Sequence, residues 1–389
     1  MKGFSTTAVH GGEKRRKGED SITNPIFQTS TYTFENTQEI IEYTQGLKER
    51  YEYGRYGNPT VRVAEKKLAA LEGAEEAALF VSGMNCITSV LLAMLSRGDH
   101  IVLMDECYRK TRYFCQNILP KYGIEVTLVK TGDLKALRES LNKHTRLVIS
   151  ESPTNPYLSV VDFAELAEIS KKNKVKVIID STLATPYNQR PLEHGIDIVI
   201  HSATKYLGGH NDLIGGVVLG NAAFISAIKE FRGALGGIMD PHSAYLLIRG
   251  LKSFPLRMER QNKNGMELAQ FLAAHPKVRK VYYPGLETHP QCQIAKKQMQ
   301  GYGGIVSFEI EGDGKKAARF IDHLKLPYIG PSFGGTESMV EQPAIISYYE
   351  LSQEQRLEIG IKDELIRLAL GIEDTVDIVA DIKQALDHS

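Results

Sequence analysis

The chain has 389 residues, which at roughly 150 per domain allows two or three domains with ample room for a core. Lysine plus arginine equals aspartate plus glutamate at 47 each, so no net field recruits nucleic acid or an anionic membrane. The four cysteines, Cys86, Cys107, Cys115 and Cys292, lack metal-ligand spacing and read as reduced thiols, so no metal is expected.

The N-terminus, Met1-Lys2-Gly3-Phe4-Ser5, opens no signal-peptide core, and no apolar run anywhere approaches the ~20 residues that span a bilayer. A cytoplasmic protein is the expectation. Residues 1–56 are polar and turn-rich, with a charged stretch from Glu13 to Asp20, and read as an arm rather than an independent core. From 57 to 248, strand-like runs alternate with amphipathic helical stretches, which predicts a mainly parallel α/β sheet with helices on both faces. Residues 249–389 contain a helical stretch from Met258 to Ala274, then a strand-rich pattern around Gly304–Ile310, and predict a smaller α+β domain.

Within the α/β region four segments end in chemistry. Ala77–Val81 reads as a strand, and Ser82-Gly83-Met84-Asn85 opens an apolar helix that runs through Leu95. A glycine turn at a helix N-terminus offers free N–H groups and the positive end of the dipole, which suits phosphate, although a plain strand-to-helix turn has the same pattern. Leu147–Ser150 is followed by Glu151-Ser152-Pro153-Thr154-Asn155-Pro156, a rigid loop that could bring Asn155 to a cofactor's phenolic oxygen. Val175–Ile179 ends at Asp180. An aspartate there serves an ordinary turn or holds a proton on a pyridinium nitrogen, so that the ring accepts electrons. Ile196–Ile200 continues as His201-Ser202-Ala203-Thr204-Lys205, with Gly208 and Gly209 beyond. Open α/β sheets place ligands at the carboxyl ends of their strands. A lysine beside hydroxyls at that edge, Ser202 and Thr204, has the parts for a pyridoxal 5'-phosphate Schiff base.

In its motif text the chain resembles the pyridoxal-phosphate enzymes of Cys/Met metabolism, nearest to plant-type cystathionine γ-synthases. The resemblance runs from Thr6-Thr7-Ala8-Val9-His10-Gly11-Gly12 to Arg367-Leu368-Ala369-Leu370-Gly371-Ile372-Glu373. Its most specific pieces are Tyr53-Gly54-Arg55-Tyr56-Gly57-Asn58-Pro59-Thr60, the Ser-Ala-Thr-Lys box, and Ser332-Phe333-Gly334-Gly335-Thr336-Glu337-Ser338. It implies the fold type I of pyridoxal-phosphate-dependent transferases, small amino-acid substrates, and homotetramers built as dimers of dimers that share active sites. By the same resemblance, Tyr53 and Arg55 reach a neighbour's cofactor phosphate, and Tyr108 stacks on the cofactor and exchanges protons. Lys205 is the catalytic lysine, Arg367 grips the substrate α-carboxylate, and Ser332 lies near Lys205.

The reaction implied is γ-replacement on an O-activated homoserine with cysteine, giving cystathionine. Tyr108-Arg109-Lys110-Thr111-Arg112 sets Arg109, Lys110 and Arg112 beside the tyrosine, where many lyases have Gly-Gly-Thr, and these cations would suit a phosphate leaving group. As surface charges they would do nothing. One departure points elsewhere: Pro331 stands where several family members carry a glutamate for the distal amino group, leaving Glu52 as the distal acid. A γ-lyase releasing 2-oxobutanoate and ammonia, or an O-acylhomoserine sulfhydrylase, stays open. A non-catalytic scaffold would not be expected to keep Lys205, Asp180 and Arg367.

Overall fold

Near-continuous runs of Val, Ile and Leu form strands that are buried on both faces, as a parallel sheet between helices requires. The computed structural model describes residues 3–389. Its first sheet holds β1 (Glu76–Phe80), β2 (His100–Met104), β3 (Glu125–Val129), β4 (Thr145–Glu151), β5 (Lys176–Asp180), β6 (Ile198–Ser202) and β7 (Gly216–Gly220). The order is β1-β7-β6-β5-β4-β2-β3, and β7 alone runs against its neighbours. The expected parallel core is therefore present, with one antiparallel insertion. The ends of β1, β4, β5 and β6 deliver Ser82, Glu151, Asp180 and Ser202 to one edge.

The second sheet is antiparallel apart from one pair. It comprises β8 (Val278–Tyr282), β9 (Ile305–Ile310), β10 (Tyr328–Ile329), β11 (Met339–Glu341) and β12 (Leu365–Ala369), in the order β10-β11-β12-β9-β8. Every residue of β9 and β12 is buried.

The helix expected from Met258 begins earlier. It runs from Pro241 to Ala273, is capped by the Asp240 carboxylate, and passes unbroken through position 248. Pro255 lies inside it, where a proline ordinarily ends or kinks a helix. Here burial of Leu251, Phe254, Pro255 and Met258 holds the path. This helix ties the sheets together through polar side chains. Arg257 donates to the carbonyls of Tyr206 at 2.8 Å and Gly250 at 2.9 Å, Gln261 to that of Gly335 at 2.8 Å, and Asn264 to that of Gly371 at 3.1 Å. All four cysteines are free and buried, and no described helix is long and apolar enough to cross a membrane.

The start of the chain is anchored by a buried lysine. Helix Phe4–His10 packs on Pro59–Glu72 and on the long helix. Lys67, fully buried, donates to the carbonyls of Ala8 at 2.8 Å and Val9 at 2.9 Å and faces Glu13 at 3.2 Å. Burial pulls the Lys67 ammonium below its ordinary pKa, while Glu13 opposes that shift. Lys67→Ala strands two carbonyls and leaves Glu13 only Lys17 and Lys252, and should lower stability by about 3 kcal/mol in chemical denaturation. It should also open the Lys14-Arg15-Arg16 segment to trypsin. Wild-type cleavage rates there would show that Lys67 is not the anchor.

Candidate active site

Lys205 follows β6 by three residues, its N–H bonded to the Ser202 carbonyl at 3.3 Å. Its Nζ donates to Ser332 Oγ at 2.7 Å and lies 4.8 Å from the centre of the Phe333 ring. Burial, then the nearby Arg367 charge, lowers the Lys205 pKa to about 8. Gly334 lets the Ser332 loop come this close: its φ is +84°, and a Cβ there would meet the Tyr206 nitrogen at 2.6 Å. The cavity beside Lys205 has a volume of about 380 Å³ and takes residues from the first sheet's edge and from the second domain.

Asp180 lines that cavity from the neighbouring strand. Thr182 fixes its orientation: the backbone N–H and the hydroxyl both donate to Asp180 Oδ1, at 3.0 and 2.5 Å. Burial raises the Asp180 pKa, and the Thr182 hydrogen bonds pull it back. Glu151 pairs with Asp180 across β4 and β5, and its carboxyl, also raised by burial, accepts the Tyr108 N–H at 2.9 Å. Tyr108 is 44% exposed on the cavity wall.

Ser82 caps the helix Gly83–Met94 by accepting the Asn85 N–H at 3.1 Å. The earliest N–H groups of a helix have no partner within it, so those of Gly83 and Met84 stand free for an anion. A Cβ on Gly83 would sit 3.0 Å from the Ser202 Cβ, so glycine is what lets the helix start abut β6. Ser202 and Thr204 line the same wall, and Thr204 Oγ1 is bonded both ways to Gly215, at 3.0 and 3.2 Å. This donor set, opposite a carboxylate and an amine in a cavity of this size, fits pyridoxal phosphate. The phosphate would take the helix start and Ser202, the ring nitrogen Asp180, and the aldehyde carbon Lys205.

Arg367, on β12, is 2% exposed and reaches the cavity from the second domain. Its Nη1 donates to Asn155 Oδ1 at 3.1 Å and lies 2.9 Å from Glu341 Oε1, and its Nη2 donates to the Ser332 carbonyl at 3.0 Å. Its Nε is buried without a partner. Asn155, expected near a phenolic oxygen, lines the cavity but turns its carbonyl oxygen to Arg367.

The cations after Tyr108 separate. Arg109 lines the Lys205 cavity and also an adjoining one of about 320 Å³, whereas Lys110 and Arg112 line only the latter of the two. Glu350 faces Arg109 at 3.3 Å and Lys110 at 3.8 Å, and Arg112 bonds Gln116 at 3.2 Å. Glu52, Tyr53 and Arg55 do not line the Lys205 cavity of their own chain. Arg55 instead donates to the Gly233 carbonyl at 2.7 Å and lies over the Tyr56 ring, while Glu52 accepts from the Tyr43 hydroxyl at 3.3 Å.

Sequence reasoning missed Thr182, Glu151, Glu341 and Ser347. Thr182 had a local signal, standing two residues after an aspartate at a strand end. The pairing of Glu341 had none, since Arg367 lies 26 residues along and only the β11–β12 register brings them together.

Residues 5–387 match the sequence model of the Cys/Met metabolism PLP-dependent enzymes. The chain is 50% identical to the chloroplastic cystathionine gamma-synthase 1 of Nicotiana tabacum over 98% of this chain and 71% of that protein. It is 42% identical to the L-methionine gamma-lyase of Fusobacterium nucleatum subsp. nucleatum, over 99% of this chain and 98% of the other. The crystal structure of metB from Corynebacterium glutamicum superposes with a TM-score of 0.94 at 36% identity, covering 100% of this chain and 98% of that one. The chain therefore belongs to the pyridoxal-phosphate-dependent enzymes of Cys/Met metabolism.

Proposed function

We propose that this enzyme performs γ-replacement on an O-activated homoserine, with cysteine as nucleophile and cystathionine as product. The observation that carries this reading is the greater identity to the tobacco γ-synthase than to the methionine γ-lyase. Arg109 adds support, because a guanidinium on the cavity wall suits a departing phosphate or carboxylate. The lyase reading rests on Pro331, which lines the cavity where several relatives place an acid.

When bound, pyridoxal phosphate spreads into its ring the negative charge left at the substrate's α-carbon. Asp180, held by Thr182, would keep the proton on the ring nitrogen. Arg367, on the cavity wall with its hydrogen-bonding capacity not fully used, receives the α-carboxylate. Lys205, whose amine gives up its proton near pH 8, takes the Cα proton and later returns it, and Ser332 Oγ steadies the amine between these transfers. Tyr108, exposed on the cavity wall, would cover the ring of the bound cofactor. Over the cycle one Cγ–O bond breaks, one Cγ–S bond forms, and the thiol proton leaves with the displaced group or its buffer. If water intervenes instead, the carbon skeleton departs as 2-oxobutanoate with ammonia. Glu52, Tyr53 and Arg55 would complete the site of a neighbouring subunit in a homotetramer, a role supported by their absence from the walls of their own chain's cavity and by the 40% exposure of Tyr53.

Purified enzyme supplied with O-phospho-, O-succinyl- or O-acetylhomoserine should make cystathionine only when cysteine is present, counted by mass spectrometry. Dominant 2-oxobutanoate from cystathionine or methionine, indifferent to cysteine, would make it a lyase. Lys205→Ala should remove turnover and the visible absorbance of the cofactor–lysine linkage, and a variant keeping both would sink its assignment. Arg109→Ala should raise KM for O-phosphohomoserine about tenfold and for O-acetylhomoserine much less. Equal changes would remove Arg109 from the leaving-group site.

A further inference from the structure

The α-carboxylate receptor already holds a carboxylate of its own. Glu341 on β11 and Arg367 on β12 are direct cross-strand partners, and antiparallel register puts their side chains on one face. The pair is 1% and 2% exposed, and its N–O distance is 2.9 Å. Ser347 Oγ lies 3.0 and 3.1 Å from the two Glu341 oxygens and clamps the carboxylate from its far side. With Nη1 on Glu341 and Asn155 and Nη2 on the Ser332 carbonyl, the guanidinium cannot rotate without breaking three contacts. One N–H of Nη2 and the unpartnered Nε are what the guanidinium keeps for an incoming ligand.

We infer that Glu341 is a specificity-determining positioning residue: an internal carboxylate that orients Arg367 and competes with the substrate's carboxylate for its charge. The inference rests on Arg367 being the carboxylate receptor. A guanidinium bare of counter-charge would bind any small carboxylate; one already paired offers the next anion a smaller net attraction. The site then relies on the complete amino acid, held also at its amine and side chain, to reach the remaining N–H groups of Arg367. Cystathionine carries two carboxylates, and a moderated receptor releases it more readily.

The test compares wild type, Glu341→Gln, Glu341→Asp and Arg367→Lys in the cofactor-loaded enzyme. The probe is propanoate, a carboxylate with no amine to react. Glu341→Gln keeps an acceptor for Nη1 but loses the charge, so its calorimetric Kd for propanoate should fall about three- to tenfold. Its KM for the amino-acid substrate should fall with it while kcat does not rise. Glu341→Asp keeps the charge and should remain near wild type. Should the glutamine variant prove less stable, propanoate should raise its Tm more than that of wild type, because tighter binding stabilises more. Unchanged or weaker propanoate binding in Glu341→Gln, or equal changes in the Gln and Asp variants, would overturn the inference. Undiminished binding by Arg367→Lys would instead refute Arg367 as the receptor.

Discussion

Taking an amine out of water makes its charged form harder to hold, and the rest of this site is arranged around that one effect at Lys205. The side chain lies between the edge of a parallel sheet and the Ser332–Gly335 loop, and burial alone is the largest influence on its proton. Arg367 pushes the same way and Glu341 pushes back. A lysine left on the surface would stay protonated through neutral pH and could neither attack a carbonyl nor accept a carbon-bound proton. The enclosure therefore comes first, and the polar groups refine it.

The enclosing walls come from different chemistry. On the first-sheet side, strand ends and one helix start supply hydroxyls, N–H groups and Asp180, all within a few residues of apolar runs. On the other side, Arg367 sits in the middle of a fully buried strand and Glu341 at the buried end of its neighbour, where charge is tolerated because each satisfies the other. The first wall suits an anion and a ring; the second suits a carboxylate. Each charge faces a partner of its own chain before any ligand arrives.

That division explains what the sequence revealed. Ser82-Gly83, Asp180 and Ser202–Lys205 were legible because strand, turn and functional residue are contiguous, so a local pattern carries the information. Arg367 was legible only through its motif text, and its pairing with Glu341 through nothing, since a β-register is a long-range property. The long helix was read 17 residues short at its start, Met258 against Pro241, because Pro255 and the glycine Gly250 look like breakers until the packing around them is known. Glu52, Tyr53 and Arg55 show the opposite limit. Their motif is plain in the text, yet the fold of one chain leaves them outside its own cavity.

The helix Pro241–Ala273 has a mechanical consequence. At 1.5 Å per residue its 33 residues form a beam about 50 Å long. Arg257, Gln261 and Asn264 bolt that beam to both sides of the cavity, at Tyr206 next to Lys205 and at Gly335 and Gly371 of the second domain. Two lobes pinned to one girder cannot swing apart about a hinge without bending it. Entry and departure of ligands then fall to lighter parts, above all the turn-rich segment 343–364 whose Ser347 and Tyr348 line the opening.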